Sequence, residues 1–377
     1  MSESSASTLA LVESPVQLLN VLEWAHAEAA AQAEWPLLGA VPAQPTRGGR
    51  RVPPLQGLRI VVLPPVDPMS RGQLRRMAAL ARDEGHQVRW QEARGGRLAP
   101  FRAVGAMARQ MRRADRIVVG DPFSRFVQLL LTLVRAPELV VVDDGTATME
   151  FAGQIARGER LVRWHRVGAQ GLPGKVKELA YAPVSSTARR RFTPARTGRR
   201  VEVFSSMPVT VPEGVELRVN EFAWTRSAFG PPRLTQGTDL VGTSLVETGV
   251  VEPERYLAAV RSLAAAYGAT RYFAHRRESP EKLRTLSEAT GLEIVRPDLP
   301  LELIARRGPI GRTIVSFPST VVHTLPYALR GTGVTVAVCD VDPAWLTGGA
   351  SPRARSFLAG VTDTARDVRR LAASAAS

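Results

Sequence analysis

The stretch Leu139-Val140-Val141-Val142-Asp143-Asp144-Gly145 carries the pattern that decides the fold. Its first four residues are apolar and three of them are β-branched, which predicts a short strand. Two acids and a glycine follow, so the strand ends in a polar turn. Similar apolar runs recur on both sides of this stretch, and segments of helical periodicity separate them. This alternation predicts an α/β fold built from βαβ units, with mostly parallel sheets.

Two series of such units fit the chain length of 377 residues, which is enough for two domains with separate cores. The first series has predicted strands at 7–12, 58–63, 87–90, 116–119 and 139–142. The second has predicted strands at 201–204, 240–242, 271–274, 292–295, 313–316 and 334–338, and ends with a helix at about 352–373. Residues 183–200 lie between the series, are rich in arginine and lack periodicity. We therefore predict an N-terminal domain at 1–185, a linker at 186–200 and a C-terminal domain at 201–377, with the ligand site in a cleft beyond the carboxyl ends of the strands.

The composition excludes several classes of protein. Hydrophobic residues make up 44% and charged residues 23% of the chain, as in ordinary globular proteins. The single cysteine, Cys339, excludes an intrachain disulfide, and the five histidines are scattered, so we expect no metal and no other cofactor. The longest mainly apolar stretch, 126–134, is too short to cross a bilayer. We expect a cytoplasmic protein, with peripheral contact to the inner face of the membrane as an alternative.

The net charge of +15 has more than one explanation. It suits an anionic membrane, an acidic substrate or nucleic acid. An arginine-rich surface without a charged partner explains it equally well, because only three of the basic residues are lysines (Lys175, Lys177 and Lys282). The aromatic content is 6% and no nucleic-acid-binding motif is present, so we expect no nucleic-acid partner.

The first candidate site is the pair Asp143 and Asp144 with Gly145. Adjacent side chains at a strand end point to opposite sides, so one of the two acids faces the ligand cleft. A carboxylate there can take a proton from an attacking sugar hydroxyl, and glycine allows a sharp turn beside a ligand. An ordinary Asp-Gly turn is the alternative.

The second and third candidate sites follow later strands. His275 lies next to Arg276 and Arg277, where it can bind or protonate a departing phosphate; a plain surface histidine is the alternative. Ser319 and Thr320 follow the strand at 313–316 and offer hydroxyl groups to a phosphate, or a simple helix cap.

Two further residues are weaker candidates. Glu302 begins a short helix and can accept both hydroxyls of a ribose, although an acid is also favourable in a first helical turn without any ligand. Gly242 ends a strand, where it allows a base or ribose to approach the backbone or simply ends the strand.

The order and spacing of these motifs resemble the bacterial sialyltransferases. Those families share an acidic-acidic-Gly motif, a His-Pro motif and a Ser or Ser-Ser motif on a GT-B fold. The opening Glu13-Ser14-Pro15-Val16-Gln17-Leu18-Leu19-Asn20 is also similar to the start of the polysialyltransferase-like and lipooligosaccharide sialyltransferase groups. The resemblance extends from about residue 8 to residue 340.

The resemblance implies a GT-B fold of two Rossmann-like domains whose parallel sheets face a cleft. It also implies an inverting, metal-independent transfer of a sialic acid or related nonulosonic acid from a CMP-activated donor to a glycan or lipid-linked acceptor. The roles it implies are Asp144 as general base with Asp143 less favoured, His275, Ser319 and Thr320 on the phosphate of CMP, Glu302 on the ribose, Gly242 near the cytidine, and Ser14, Pro15 and Gln17 on the acceptor side.

The sequence departs from the family pattern at two positions. Arg276 follows His275 where the families have proline, and Thr320 follows Ser319 where they have a second serine. The first departure leaves the identity of the donor open. A GT-B transferase with another nucleotide-sugar donor and a non-catalytic nucleotide- or anion-binding protein therefore stay as alternatives.

Overall fold

The computed structural model describes residues 6–34, 52–93, 99–163, 172–194 and 199–372. The chain divides into two compact units, Met1–Trp224 and Thr225–Ser377. Each unit has its own parallel sheet with helices packed on it, so the predicted α/β class is confirmed. Among the described residues, no helix is long and apolar enough to cross a membrane.

The first unit contains a seven-stranded sheet in the order β3-β2-β1-β4-β5-β6-β7, in which every pairing is parallel. Its strands are β1 (Thr8–Val12), β2 (Leu58–Val62), β3 (Gln87–Trp90), β4 (Arg116–Val119), β5 (Glu138–Val142), β6 (Arg200–Ser205) and β7 (Val215–Val219). Its helices are α1 (Pro15–Glu34), α2 (Pro68–Asp83), α3 (Ala99–Arg113), α4 (Arg125–Leu131), α5 (Thr146–Ala156) and α6 (Leu172–Phe192), and α7 (Ala223–Ala228) continues into the second unit.

The second unit contains a six-stranded parallel sheet in the order β10-β9-β8-β11-β12-β13. Its strands are β8 (Leu234–Val241), β9 (Ala269–Phe273), β10 (Glu293–Val295), β11 (Ile310–Ser316), β12 (Thr335–Cys339) and β13 (Arg369–Leu371). Its helices are α8 (Pro253–Tyr267), α9 (Pro280–Thr290), α10 (Leu301–Arg307), α11 (Val321–Ala328) and α12 (Pro352–Thr364), with a 3₁₀ turn at Pro343–Trp345.

The strand order reverses once in each sheet, and this positions the candidate sites. In the first sheet the reversal lies between β1 and β4, and in the second between β8 and β11. At such a point the connections leave in opposite directions and open a crevice at the carboxyl ends of the strands. Every candidate residue except Glu302 follows the carboxyl end of a strand in one of the two sheets.

The central strands of the first sheet are buried on both faces. All residues of β1 are buried, and so are the last three residues of β4 and the last four of β5. Parallel sheets covered by helices on both sides have continuous apolar runs of this kind. The run at Leu139 to Val142 therefore forms the strand that its sequence predicts, with each of its four residues fully buried.

The boundary between the units differs from the predicted linker at 186–200. Helix α6 extends to Phe192, and the buried side chains of Ala188 and Phe192 pack in the core of the first unit. Strand β6 then pairs with β5 and β7 pairs with β6. Both strands thus belong to the first sheet, and the boundary lies after Trp224. The linker was expected because residues 183–200 are rich in arginine and lack apolar periodicity, and because Pro183, which lies inside α6, suggests a break in helical structure.

Candidate functional site

The candidate residues of the first unit follow the carboxyl ends of adjacent strands. Glu13 and Ser14 follow β1, and Asp143 and Asp144 follow β5. Asp121, which was not among the predicted site residues, follows β4 shortly after its end. The reversal of strand order lies between β1 and β4, so these residues surround the crevice of the first sheet.

Asp143 is enclosed in the protein. Asp143 is 2% exposed, and its Oδ1 accepts hydrogen bonds from Gly145 N–H and Thr148 Oγ1, both at 2.8 Å. Its Oδ2 accepts from the backbone N–H and the hydroxyl of Ser206, at 3.3 and 3.2 Å. Burial raises the pKa of the Asp143 carboxyl, and these donors oppose that shift. The side chain therefore ties the end of β5 to the start of α5 and the end of β6.

Asp144 lies at the edge of the same turn. Its side chain is 17% exposed, and Oδ2 accepts a hydrogen bond from Arg163 Nη2 at 3.2 Å. The same nitrogen donates to Asp121 Oδ2 at 2.9 Å, so one guanidinium joins two carboxylates. Gly145 has φ 65°, a left-handed conformation in which a side chain is strained, and this turn lets Asp144 lie outside while Asp143 lies inside.

Ser14, Pro15 and Gln17 form the turn that begins α1. Ser14 Oγ accepts a hydrogen bond from Gln17 N–H at 3.2 Å, as a helix-capping serine does. Gln17 is 3% exposed, and its Oε1 accepts from Glu13 N–H at 2.7 Å. Pro15 is also buried, so Ser14 alone of the three has a partly accessible side chain.

His275 follows β9 in the second unit and is partly buried. Its Nδ1 accepts a hydrogen bond from Arg277 N–H at 3.2 Å, which leaves Nε2 to carry the proton of the neutral ring. Burial, together with the charges of Arg276, Arg277 and Lys282, lowers the pKa of His275 to about 4. At neutral pH this imidazole is uncharged and can donate one hydrogen bond.

Position 242 requires glycine because polar side chains of a buried network occupy the place where a side chain would lie. A Cβ at this position would clash with Glu278 Oε2 and would lie 2.6 Å from Tyr272 Oη. Glu278 accepts hydrogen bonds from Tyr272 Oη and from His275 N–H, both at 2.6 Å. Lys282 lies 2.8 Å from Glu278 and neutralises it. The sequence analysis did not identify Glu278 and Lys282. An acid two residues before α9 and a lysine four residues later in its first turn are the pattern that could have indicated them.

Ser319 and Thr320 lie between β11 and α11, and both are partly buried. The hydroxyls of Ser316 and Ser319 are 3.2 Å apart and hydrogen bond to each other. Thr320 occupies the N-cap position of α11 with helical backbone angles, and its side chain forms no capping bond. The two residues predicted to bind a phosphate thus lie at a helix start, just after the strand that pairs with β8.

Glu302 is directed into the second unit. The residue is 6% exposed, and its Oε1 accepts a hydrogen bond from Thr324 Oγ1 at 2.6 Å. This bond joins α10 to α11. Next to Thr324, His323 is 5% exposed, and its Nε2 is buried without a hydrogen-bond partner within the described part of the chain. Burial lowers the pKa of His323 to about 4.

The described side chains show no metal centre. Among the residues that the structure describes, no group of three or more histidine, cysteine, aspartate or glutamate side chains could hold a metal ion.

No protein-family model matches the sequence, and no curated protein matches it. Solved structures do match. An alpha/beta-galactoside alpha-2,3-sialyltransferase from Photobacterium phosphoreum superposes with a TM-score of 0.51 and 8% identity, over 99% of this chain and 100% of that one. The chain has the GT-B fold.

Two other solved structures are similar to the chain at lower scores. MurG from Acinetobacter baumannii has a TM-score of 0.36 and 11% identity, over 98% of this chain and 86% of that one. A putative UDP-N-acetylglucosamine 2-epimerase from Listeria monocytogenes has a TM-score of 0.43 and 11% identity, over 89% and 79%. The GT-B fold thus rests on the two parallel sheets and the sialyltransferase structure.

Proposed function

We propose that the protein is an inverting, metal-independent glycosyltransferase. It moves a sialic acid or a related nonulosonic acid from its CMP donor to a hydroxyl of a glycan or glycolipid. The observation that carries this proposal is the different environment of the two acids after β5. Asp143 is sealed by four hydrogen bonds, whereas Asp144 keeps a partly exposed carboxylate at the crevice of the first sheet.

Asp144 acts as the general base in this proposal. The acceptor oxygen forms a bond to the anomeric carbon of the donor while its proton passes to the Asp144 carboxylate. The bond between the anomeric carbon and the phosphate oxygen of CMP breaks, and CMP leaves from the opposite face. The configuration at the anomeric carbon is therefore inverted.

The second unit binds the leaving group in this proposal. His275 donates one hydrogen bond from Nε2 to the phosphate, because the free ring is uncharged at neutral pH. The hydroxyls of Ser319 and Thr320 provide further donors, and Arg276, Arg277 and Lys282 supply positive charge around His275. Fixed donors and charges of this kind stabilise the negative charge that develops on a departing phosphate.

The setting of the reaction is part of the proposal. The substrates are a CMP-activated sugar and a glycan or lipid-linked acceptor, and the net charge of +15 suits peripheral contact with an anionic membrane. We place the reaction in the cytoplasm, at the inner face of the cell membrane, without a nucleic-acid partner.

Thermal shifts with CMP, CDP, UDP, GDP, ADP and NAD test the donor. A ligand that binds the native state at a hundredfold excess over Kd stabilises it by about 2.7 kcal/mol. We expect a shift with CMP or CDP that His275→Ala removes and that His86→Ala, in the first unit, leaves unchanged. A shift with UDP or GDP instead overturns the donor assignment. CMP binding without transfer to any acceptor in a glycan array, equal for wild type and Asp144→Asn, identifies a non-catalytic binding protein.

A further inference from the structure

We propose that a pocket of the first unit binds a negatively charged group, a phosphate or a carboxylate, that the acceptor carries. This inference rests on the proposed function and specifies the class of acceptor. The pocket lies beside the crevice of the first sheet, and its seven polar or aromatic lining residues are Phe123, Arg125, Gln128, Arg160, Arg163, Tyr181 and Ser185. The concave space of the pocket, counted together with the open solvent at its mouth, is about 400 Å³.

Buried side chains hold the wall of this pocket in place. Gln128 is 1% exposed, and its Nε2 donates to Leu161 O at 2.9 Å. Ser185 Oγ donates to the same carbonyl at 3.2 Å. Gln154 donates to Val162 O at 2.8 Å and accepts from Val162 N–H at 3.2 Å. Three separate elements therefore fix the backbone between Arg160 and Arg163, so both arginines are presented from a preorganised segment.

The pocket has more positive than negative charge. Within the described part of the chain, neither Arg125 nor Arg160 forms an ion pair with a carboxylate, and Arg125 lies 5.2 Å from the ring centre of Tyr181. Arg157, which lies close by in the sequence, is paired with Glu159. Guanidinium groups bind phosphates and carboxylates through charge-assisted, bidentate hydrogen bonds. Two unpaired guanidiniums on the wall of a concave site therefore favour an anionic ligand.

Arg163 connects the pocket to the proposed base. It lines the pocket, and its Nη2 lies 3.2 Å from Asp144 Oδ2 and 2.9 Å from Asp121 Oδ2. An anion bound in the pocket is thus separated from the Asp144 carboxylate by a single side chain. An acceptor whose charged group occupies the pocket brings its neighbouring hydroxyl groups toward Asp144.

Isothermal titration at constant ionic strength tests this pocket with three probes, inorganic phosphate, galacturonate and neutral galactose. Saturating CMP is present, so that a phosphate site of the donor is already filled. We compare wild type with the double variant Arg125→Gln plus Arg160→Gln. The matched control is Arg135→Gln, an exposed arginine just before β5, at the opposite end of the sheet. We expect phosphate or galacturonate to bind wild type and the control equally, at least about tenfold more weakly to the double variant, and galactose to bind none of them.

The outcomes separate the ligand sources and the two proposals. Preference for phosphate indicates an acceptor with a phosphate group, and preference for galacturonate indicates an acidic sugar. Equal binding to wild type and the double variant, or no binding to either, overturns the pocket proposal. If the pocket proposal is overturned in this way but CMP still gives a thermal shift, the proposed function stands and only the anion pocket is rejected. Binding that depends on Arg125 and Arg160 without any CMP response keeps the anion site and overturns the transferase.

Discussion

The two neighbouring carboxylates of the Asp-Asp-Gly turn should respond very differently to the same substitution. Asp144→Asn removes the carboxylate that we propose as the base and leaves the packing intact, so we expect turnover to fall by about 10²- to 10⁴-fold with little change in stability. Asp143→Asn places an amide among four donors, and we expect a loss of about 1–3 kcal/mol of unfolding free energy. Transfer assays and urea unfolding at pH 7 measure the two effects. A stability loss for Asp144→Asn as large as for Asp143→Asn contradicts this assignment.

His275 should stay neutral well below physiological pH. Its pKa is lowered from an ordinary value of 6.5 to about 4, so the folded state binds fewer protons than the unfolded chain between these values. The neutral His275 ring therefore contributes fully to the free energy of unfolding above pH 6.5, and this contribution is lost as the pH falls toward 4. NMR titration of the ring carbon signals, assigned with His275→Gln, measures this pKa. A titration midpoint above 6 in the free protein is incompatible with the buried ring described above.

At the level of single residues, the sequence located the acids and the histidine but not their partners. Asp143 and Asp144 were predictable because they follow an apolar run directly. Arg163 is 19 residues from Asp144, and Ser206 is 63 residues from Asp143. Nothing in the local pattern links such pairs, because the sheet order brings them together. Glu302 and Gly242 were interpreted as ligand contacts. The sequence did not indicate the protein groups beside them, which are Thr324 for Glu302, and Glu278 and Tyr272 for position 242.

Strand β6 carries a carboxyl group whose titration should affect stability near neutral pH. Glu202 is 5% exposed, and burial raises its pKa to about 7 although Arg218, 3.9 Å away, opposes the shift. The folded state therefore holds a proton that the unfolded chain releases above about pH 4.5. Stability falls as the pH rises from 4.5 to 7 and is then constant.

Glu202→Gln should remove this fall in stability between pH 4.5 and pH 7. Because the amide cannot ionise, we expect the variant to gain about 1–3 kcal/mol relative to wild type above pH 7 and little at pH 5. Urea unfolding at pH 5 and pH 8 measures the difference. Glu216→Gln on β7, whose side chain is 57% exposed, is the matched control and should show no such change. A gain of equal size at both pH values would show that Glu202 does not titrate in this range.

Helix α11 contains a buried polar atom that stability measurements can reveal. His323 Nε2 has no partner among the described residues, and burial of an unpaired polar group costs about 1–3 kcal/mol. We expect His323→Met to unfold at a higher urea concentration, with the largest gain below pH 6.5, where the unfolded histidine takes up a proton. Unchanged or lower stability at pH 5 would indicate that Nε2 is satisfied in solution by water or a ligand.

Most elements were predictable from the sequence because apolar periodicity dominates where strands are buried. The elements that the sequence did not predict correctly all lack a long apolar period. Strand β7 has mostly exposed or half-exposed residues, so it lacks an apolar run. Helix α6 contains a proline, and the run of arginines at its end has no apolar stripe. Strand β13 is three residues long and was absorbed into the predicted final helix.

The position of the boundary between the units predicts which fragments fold. A fragment of residues 1–224 contains the complete seven-stranded sheet, and we expect cooperative urea unfolding by circular dichroism. A fragment of residues 1–200 lacks β6 and β7 and leaves β5 as an uncovered apolar edge, so we expect aggregation or non-cooperative unfolding. Cooperative urea unfolding of both fragments would support the predicted boundary at 186–200 instead.

The single thiol gives the second unit a built-in probe of its opening. Cys339 is the only cysteine in the sequence, is fully buried at the end of β12, and has a pKa raised to about 12 by burial and by Asp340. A thiol reagent therefore reacts only when this sheet opens, because the thiolate is the reactive form. The labelling rate under native conditions then reports the opening free energy of one half of the molecule. A nucleotide that binds this unit should slow the labelling in proportion to its occupancy, without any engineered tag.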